Sequence, residues 1–479
     1  MKMARTKLSG KPSALATPAP ATAPISRVEI TEDTLTGRGG LALFSRYIRN
    51  VGIFQHIEQF FGPLRKNGKG QTVSALFHQL FCFLVDGTSR HLTHFDKLKR
   101  DEGYARGIET EPEEMASSHA IKRFFGAFAW GRIWMFRRLL RRLFLWRLKQ
   151  EEPEVVVLGL DTMVMDNDEA EAREGCQPTY KKVKGFQPLQ LTWGPFVIDA
   201  LFRGGKKNGN AGDMAGKMVR DAVAFIRKHY REDVAILLRL DAGFFDQKLF
   251  RLFEELGIGY ICSGKLQDDI KDLARGMDPS LWSEYDNGHQ LWQYFEFGDR
   301  RESWSKTEWR RAFYTRPAYE DEQRLLEFAR PDNVIYTNLG QGGRIDTLLK
   351  AAGRAEWTKP ERVIELHHGR GRDELVHRAL KDFRAEQLPF KSFQANAAFY
   401  YTVLVGFFLF ESFKRDVTAE VVPITAQATR MRREAIDFAA KIVRHAHETV
   451  LKVTAAVWER LRIADLWERA ANPPPFAWA

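Results

Sequence analysis

The sequence predicts a mixed α/β core that carries a mostly β insertion and is flanked by helical regions on both sides. Three observations predict it. Between Glu154 and Lys265, short β-branched apolar runs alternate with amphipathic stretches. Residues 266–360 are dense in Trp, Tyr, Phe and Arg and alternate in polarity. Residues 38–150 hold stretches with apolar residues three and four apart, and Ala428–Leu461 reads as a basic helix. The chain divides accordingly into a tail (1–26), an N-terminal helical region (27–150), a core in two pieces (151–265 and 361–415), the insertion (266–360) and a helical C-terminal region (416–479).

Composition narrows the function. With 479 residues, a net charge of +11 and 28% charged residues, the chain is long enough for several cores and basic enough to favour a polyanionic partner such as nucleic acid. Cys82, Cys176 and Cys262 are far apart and form no CxxC, which argues against a disulfide framework or a zinc site. No apolar leader segment is visible near Met1. The longest apolar run, Ala397–Phe410, spans 14 residues, shorter than a bilayer requires, and reads as a buried helix. The expectation is a soluble cytoplasmic protein with no membrane partner.

Taken in order, the Ala/Pro/Thr-rich residues 1–26 read as a flexible tail. Leu41–Phe61, Thr72–Val85 and Ser118–Leu148 read as helices. Within Met115–Phe128, Ser117 or Ser118 is a candidate N-cap, and the following turns present His119, Lys122 and Arg123, a helix-turn-helix-like arrangement suited to groove contacts. The same pattern fits any capped amphipathic helix. Arg137–Lys149 is a basic amphipathic helix, suited either to a phosphate backbone or to solvent.

From Glu154 the character changes. EVVVLGLDT (Glu154–Thr162) reads as a strand ending near Asp161, GFQPLQLTW (Gly185–Trp193) and PFVIDALFRGG (Pro195–Gly205) as the next two, and Ala211–Tyr230 as a helix. DVAILLRLDAGF (Asp233–Phe244) reads as a fourth strand with Asp241 at its end, Gln247–Leu256 as a helix and Ile258–Lys265 as a fifth strand. This order matches the RNase H-like fold, in which the first and fourth strands are neighbours, so Asp161 and Asp241 are expected side by side. In the insertion, Trp304 and Trp309 are candidates for stacking on an unpaired base, or core residues of a small sheet. Beyond it, Ala428–Leu461 reads as one helix, with Arg430, Arg432, Arg433, Lys441 and Arg444 toward its N-terminal half; a DNA contact, a dimer contact and a solvated face all fit.

The stretch LHHGRGRDELVHRALKDF (Leu366–Phe383) draws these parts together. From Asp373, a candidate cap, it reads as a helix with Glu374, His377 and Lys381 on one face and Arg370 near it. A carboxylate beside cations suits a metal ion next to a phosphate, although Glu, Arg and Lys at this spacing also make an ordinary solvated face. DELVH lacks the first ligand of HExxH, since Asp373 stands where His is required.

Arg370, Glu374 and Lys381 resemble the Arg-x3-Glu-x6-Lys part of a signature found in one group of DDE transposases of bacterial insertion sequences. The signature opens with Tyr three positions before the Arg; here His367 stands there. RLDAGF (Arg239–Phe244) resembles the group's Arg-x-Asp-Ser-Gly-Phe motif with Ala242 replacing Ser. LDT (Leu160–Thr162) resembles its first Asp motif, and Phe390–Arg415 resembles the segment after the Glu.

The resemblance implies an RNase H-like core and catalytic, metal-binding roles for Asp161, Asp241 and Glu374. Three carboxylates brought together repel one another, and two Mg²⁺ ions (with Mn²⁺ able to substitute) would relieve that repulsion. Asp161 would bridge both ions; Asp241 and Glu374 would hold one each, for in-line displacement at phosphorus. Arg370 and Lys381 are assigned to DNA phosphates, with Lys122, Arg123, Trp304, Trp309, Arg432 and Arg433 as further DNA contacts. The implied partners are the terminal inverted repeats of a transposon, target DNA and a second copy of the chain in a homodimer, in a bacterial, nucleoid-associated setting. Two other readings stay open: a transposon-derived DNA-binding protein that no longer cuts, and an RNase H-like endonuclease that cleaves without joining.

Overall fold

The computed structural model describes residues 27–65, 70–207, 212–286, 288, 290–320, 323–324, 332–445 and 448–476. The tail expected over residues 1–26 lies outside them. Strand β1 (Thr34–Thr36) leads into α1 (Leu41–Asn50), α2 (Ile53–Phe61), α3 (Val73–Asp86), the short α4 (Phe95–Leu98) and α5 (Glu102–Gly107), α6 (Ser118–Gly126) and α7 (Trp130–Glu151). The apolar spacing of the N-terminal region therefore reports helices correctly, but two expected long helices are broken. Gly52, at φ +85°, separates α1 from α2, and residues 127–129 separate α6 from α7. Ser117 caps α6 by accepting from the Ala120 amide at 3.2 Å.

The core follows as β2 (Val155–Thr162), β3 (Met165–Asp166), β4 (Gln177–Pro178), β5 (Lys184–Phe186), β6 (Leu189–Trp193), β7 (Phe196–Leu201), α8 (Met214–His229), β8 (Ala235–Leu240), α9 (Gln247–Glu255) and β9 (Gly259–Ser263). Strand order β7-β6-β2-β8-β9, with β2 parallel to β8 and antiparallel to β6, is the RNase H-like arrangement. The stretch expected as one strand over Gly185–Trp193 is split. Lys184–Phe186 leaves the main sheet to form a separate three-stranded sheet, β3-β5-β4.

The insertion contributes α10 (Asp268–Gly276), β10 (Ser283–Asp286), β11 (Gln290–Asp299), β12 (Arg310–Glu320), β13 (Gln323–Arg324), β14 (Asn333–Thr337) and α11 (Arg344–Ala351). Its strands extend the core sheet: β14 pairs with β9, and β12, β11 and β10 follow outward. The helices α12 (Pro360–His368), α13 (Arg370–Phe383) and α14 (Phe393–Phe413) come next. α11 and α12 close one face of the sheet over Leu237, Ile261, Phe313 and Ile335. The opposite face joins the main core beneath α14, which packs on α3, α6, α7 and β7.

Phe393–Thr418 is long and apolar enough by length and composition to cross a membrane, yet 89% of its most apolar window is buried inside the protein. The helix outruns the apolar stretch because Glu411 and Lys414, both buried, pair at 2.8 Å and carry polar residues through the core.

The C-terminal region departs from the single helix expected over Ala428–Leu461. After α15 (Ala428–Met431) and a π-turn at Arg432–Ile436, the chain forms a hairpin, β15 (Ala440–His445) and β16 (Glu448–Val453), then α16 (Ala455–Arg460) and α17 (Ile463–Ala471). The hairpin is completed by β1, with Thr34 opposite Ile442. Ile442, Val443, Thr449, Val450 and Val453 suit a pleated surface, and the edge that fixes them comes from the other end of the chain.

α7 is also not the basic surface helix its sequence suggests. Arg137 and Arg141 both reach the buried carboxylate of Asp199, at 2.6 and 2.7 Å, and Arg147 reaches Asp416 at 2.7 Å. These cations are spent inside the protein.

Candidate active site

Asp161 and Asp241 are placed by backbone register. β2 and β8 pair in parallel from Val155 opposite Ala235 to Leu160 opposite Leu240, so each Asp is the next residue on one of two adjacent strands. Asp161 Oδ1 accepts from the Thr162 amide at 2.6 Å. Asp241 Oδ1 accepts from the Gly243 amide at 2.9 Å and so caps the turn Ala242–Phe244. A side chain at Gly243 would put its Cβ 3.0 Å from that oxygen, which favours glycine there.

Glu374 comes from α13, which begins at Arg370, three residues before the cap expected at Asp373. The change places Arg370 firmly on the helix, one turn before Glu374, and Arg370 Nη2 lies 3.1 Å from Glu374 Oε1. The Glu374 side chain is 59% exposed. One turn further on, His377 Nδ1 lies 3.8 Å from Asp161 Oδ2. Lys381 Nζ pairs with Glu386 at 2.6 Å.

The electrostatics tie the carboxyls together. Burial, and then the charge of Asp241, push Asp161 up from an ordinary 3.8 to about 7; Glu374 adds to this, while the Thr162 amide and Arg370 oppose it. Asp241 is also raised, by burial first and with Glu374 adding, against the Gly243 amide and Arg370. Burial holds His377 down to about 4. His367, in the place of the signature Tyr, is buried and bonded to Ser263 Oγ at 2.8 Å, and burial holds it down to about 3. It joins α12 to the end of β9.

The donor set fits a hard divalent cation. It offers carboxylate oxygens at two strand ends, under mutual repulsion that a cation would relieve. Among the described residues, no group of three or more His, Cys, Asp or Glu side chains is already gathered as a ligand cluster; Glu374 is turned to Arg370 instead.

The remaining predicted contacts are dispersed. Lys122 and Arg123 are exposed on α6. Trp309 is 60% exposed, with Arg300 over its ring at 5.7 Å. Trp304, however, is 8% exposed and packs beside Phe245, Phe250 and Tyr336, so it is a core residue rather than a stacking platform. Arg432 is likewise corrected: its Nε donates to Val85 O at 2.8 Å and its Nη2 to Leu84 O at 3.1 Å, which joins the π-turn to the end of α3. Arg433 is exposed.

Two residues near the carboxyls escaped the sequence reading of roles. His377 shares a face with Glu374, a spacing that was visible. Tyr180 lies in the turn between β4 and β5, and its hydroxyl feels the charges of Asp161, Asp241 and Glu374 alike. The only signal for it was an aromatic followed by two lysines in a turn.

No curated protein matches the chain. Among solved structures, it is similar to the piggyBac transposase in its synaptic complex with hairpin DNA, at 11% identity and a TM-score of 0.37, covering 85% of this chain and 82% of that one. The family described as transposase DDE domain, group 1, matches residues 23–473, nearly the whole length. The chain belongs to that family.

Proposed function

We propose that the chain is a cut-and-paste DNA transposase of an insertion sequence, which binds terminal inverted repeats, cleaves the DNA strand at the element's end and transfers it to target DNA. The observation that carries this reading is the register of β2 and β8, which brings Asp161 and Asp241 side by side, with the charge of Glu374 on α13 near enough to raise both carboxyls.

Each side chain has a place in this reading. Asp161 and Asp241 supply oxygen ligands from rigid strand ends, and Glu374 completes the set when it leaves Arg370. Arg370, so released, meets a phosphate oxygen of the strand being cut. Lys381 orders the end of α13 through Glu386 and turns to phosphate when DNA competes for it. Neutral His377 keeps a second positive charge away from Asp161. Magnesium, with manganese as a substitute, would supply Lewis-acid stabilisation of the phosphorus being attacked. Exposed Lys122, Arg123, Trp309 and Arg433 are assigned to DNA outside the cut, and a homodimer to the pairing of two ends.

The test is cleavage of a labelled duplex carrying the element's terminal repeat, in Mg²⁺, by the wild-type chain and by Asp241→Asn and Glu374→Gln. Metal-dependent cutting at the end, with both variants binding DNA but not cutting, is expected. Tight end binding without cutting in any divalent metal would instead identify a non-catalytic DNA-binding relative. Cutting without any strand-transfer product would identify a nuclease.

A further inference from the structure

The small sheet β3-β5-β4 lies between the strand that carries Asp161 and the chain that follows α13. Its first strand begins at Met165, four residues after Asp161, with Met165 opposite Phe186. On its other side it is fastened to the chain that follows α13. The Gln387 amide donates to Asp166 O at 3.1 Å, the Leu388 amide to Asn167 Oδ1 at 2.6 Å, and Arg173 Nε to Leu388 O at 3.2 Å. Gly185 permits the close pairing, since a Cβ there would fall 1.9 Å from Met165 O.

The turn that closes this sheet is tight and outward-facing. The Thr179 amide donates to Val183 O at 2.9 Å and the Lys182 amide to Thr179 O at 3.0 Å, with Lys182 at φ +61°. Tyr180 is 64% exposed, and Lys181 lies over its ring at 5.9 Å. Among the described residues, neither Lys181 nor Lys182 has an acidic partner within ion-pair distance. An exposed aromatic followed by two such lysines, on a sheet joined to the Asp161 strand and to the chain just after α13, is poorly explained as packing. Partial burial and the three carboxylates hold the Tyr180 hydroxyl above its usual range, so it remains a donor.

We propose that this turn is a nucleic-acid-facing lip of the active site, in which the Tyr180 hydroxyl donates to an oxygen of the phosphate flanking the cut and the Lys181 ammonium sits beside the next phosphate along that strand. The proposal rests on the transposase reading above and adds two substrate-positioning residues to it.

The experiment measures equilibrium binding and single-turnover cleavage of the terminal-repeat duplex by wild type, Tyr180→Phe and Lys181→Ala. A second duplex carries a neutral methylphosphonate at the flanking phosphate. Tyr180→Phe should lose about tenfold in affinity or rate on the native duplex, the size of one hydrogen bond to a charged acceptor. It should lose little more on the modified duplex, whereas wild type should drop to the level of the variant. Lys181→Ala should reduce the salt dependence of binding by about one phosphate contact. Thermal unfolding of both variants should match wild type. Equal behaviour of Tyr180→Phe and wild type on the native duplex, or fully additive losses on the modified one, overturns the lip. If wild type binds but does not cut, the catalytic reading fails while the binding comparison still decides the lip.

Discussion

The imidazole Nδ1 of His377 stands 3.8 Å from the Oδ2 of Asp161, yet the two do not form a charged pair at neutral pH. Burial keeps the ring neutral down to about pH 4 and keeps Asp161 protonated up to about 7. The contact is one between two groups that each resist ionisation.

Asp161 should therefore weaken the fold as it ionises. Its native pKa lies above its unfolded value of 3.8, so between 3.8 and about 7 the native state holds a proton that the unfolded chain has released, and stability falls as pH rises through that window. Asp161→Asn should raise stability at pH 8 by up to about 4 kcal/mol, with the gain vanishing near pH 4. Urea unfolding of both proteins at several pH values measures it; a gain independent of pH would show that Asp161 is under no such strain.

Divalent cation should reverse the same repulsion. Mg²⁺ at one hundred times its dissociation constant should add about 2.7 kcal/mol to wild-type stability. The shift should shrink sharply in Asp161→Asn and Asp241→Asn. Calorimetric melting with and without Mg²⁺, in the absence of DNA, reads this without reference to activity.

The two tryptophans of the insertion should separate cleanly. Trp304→Ala removes a packed side chain and should cost about 3–5 kcal/mol of stability. Trp309→Ala should leave melting unchanged and weaken binding of the terminal-repeat duplex by about tenfold, the lower end of a base-stacking contact. Melting curves and fluorescence-anisotropy titrations distinguish them.

Asp199 should be among the most sensitive carboxylates outside the active site. It is buried and faces both Arg137 and Arg141, so Asp199→Ala strands two cations against the core and should destabilise by about 3–5 kcal/mol. Little soluble protein at 37 °C is the expected phenotype. Normal melting would show that solvent reaches the arginines once the partner is gone.

Much of the core was legible because its signals are local. The β-branched runs ending at Asp161 and Asp241, and the apolar spacing that marks α3 and α14, need no distant partner to be read. What escaped was decided at long range. Arg432 looks like a surface cation until the end of α3 offers it two carbonyls. Trp304 looks like a stacking group until Phe245 and Tyr336 surround it. The 440–453 hairpin carries apolar residues that also fit a helix, and its pairing edge lies some four hundred residues earlier, at Thr34–Thr36. Tyr180 was invisible because a turn residue acquires meaning only from what the turn leans over.

The insertion strands share backbone hydrogen bonds with β9, which shares them with β8 and thus with the strand that presents Asp241. Trp309 immediately precedes β12 and Asp241 immediately follows β8, with β14 and β9 between those two strands. An insertion on a flexible tether would let DNA dock without consequence for the chemistry. Under the proposed function, a DNA end held near Trp309 would press on the same continuous sheet that presents Asp241.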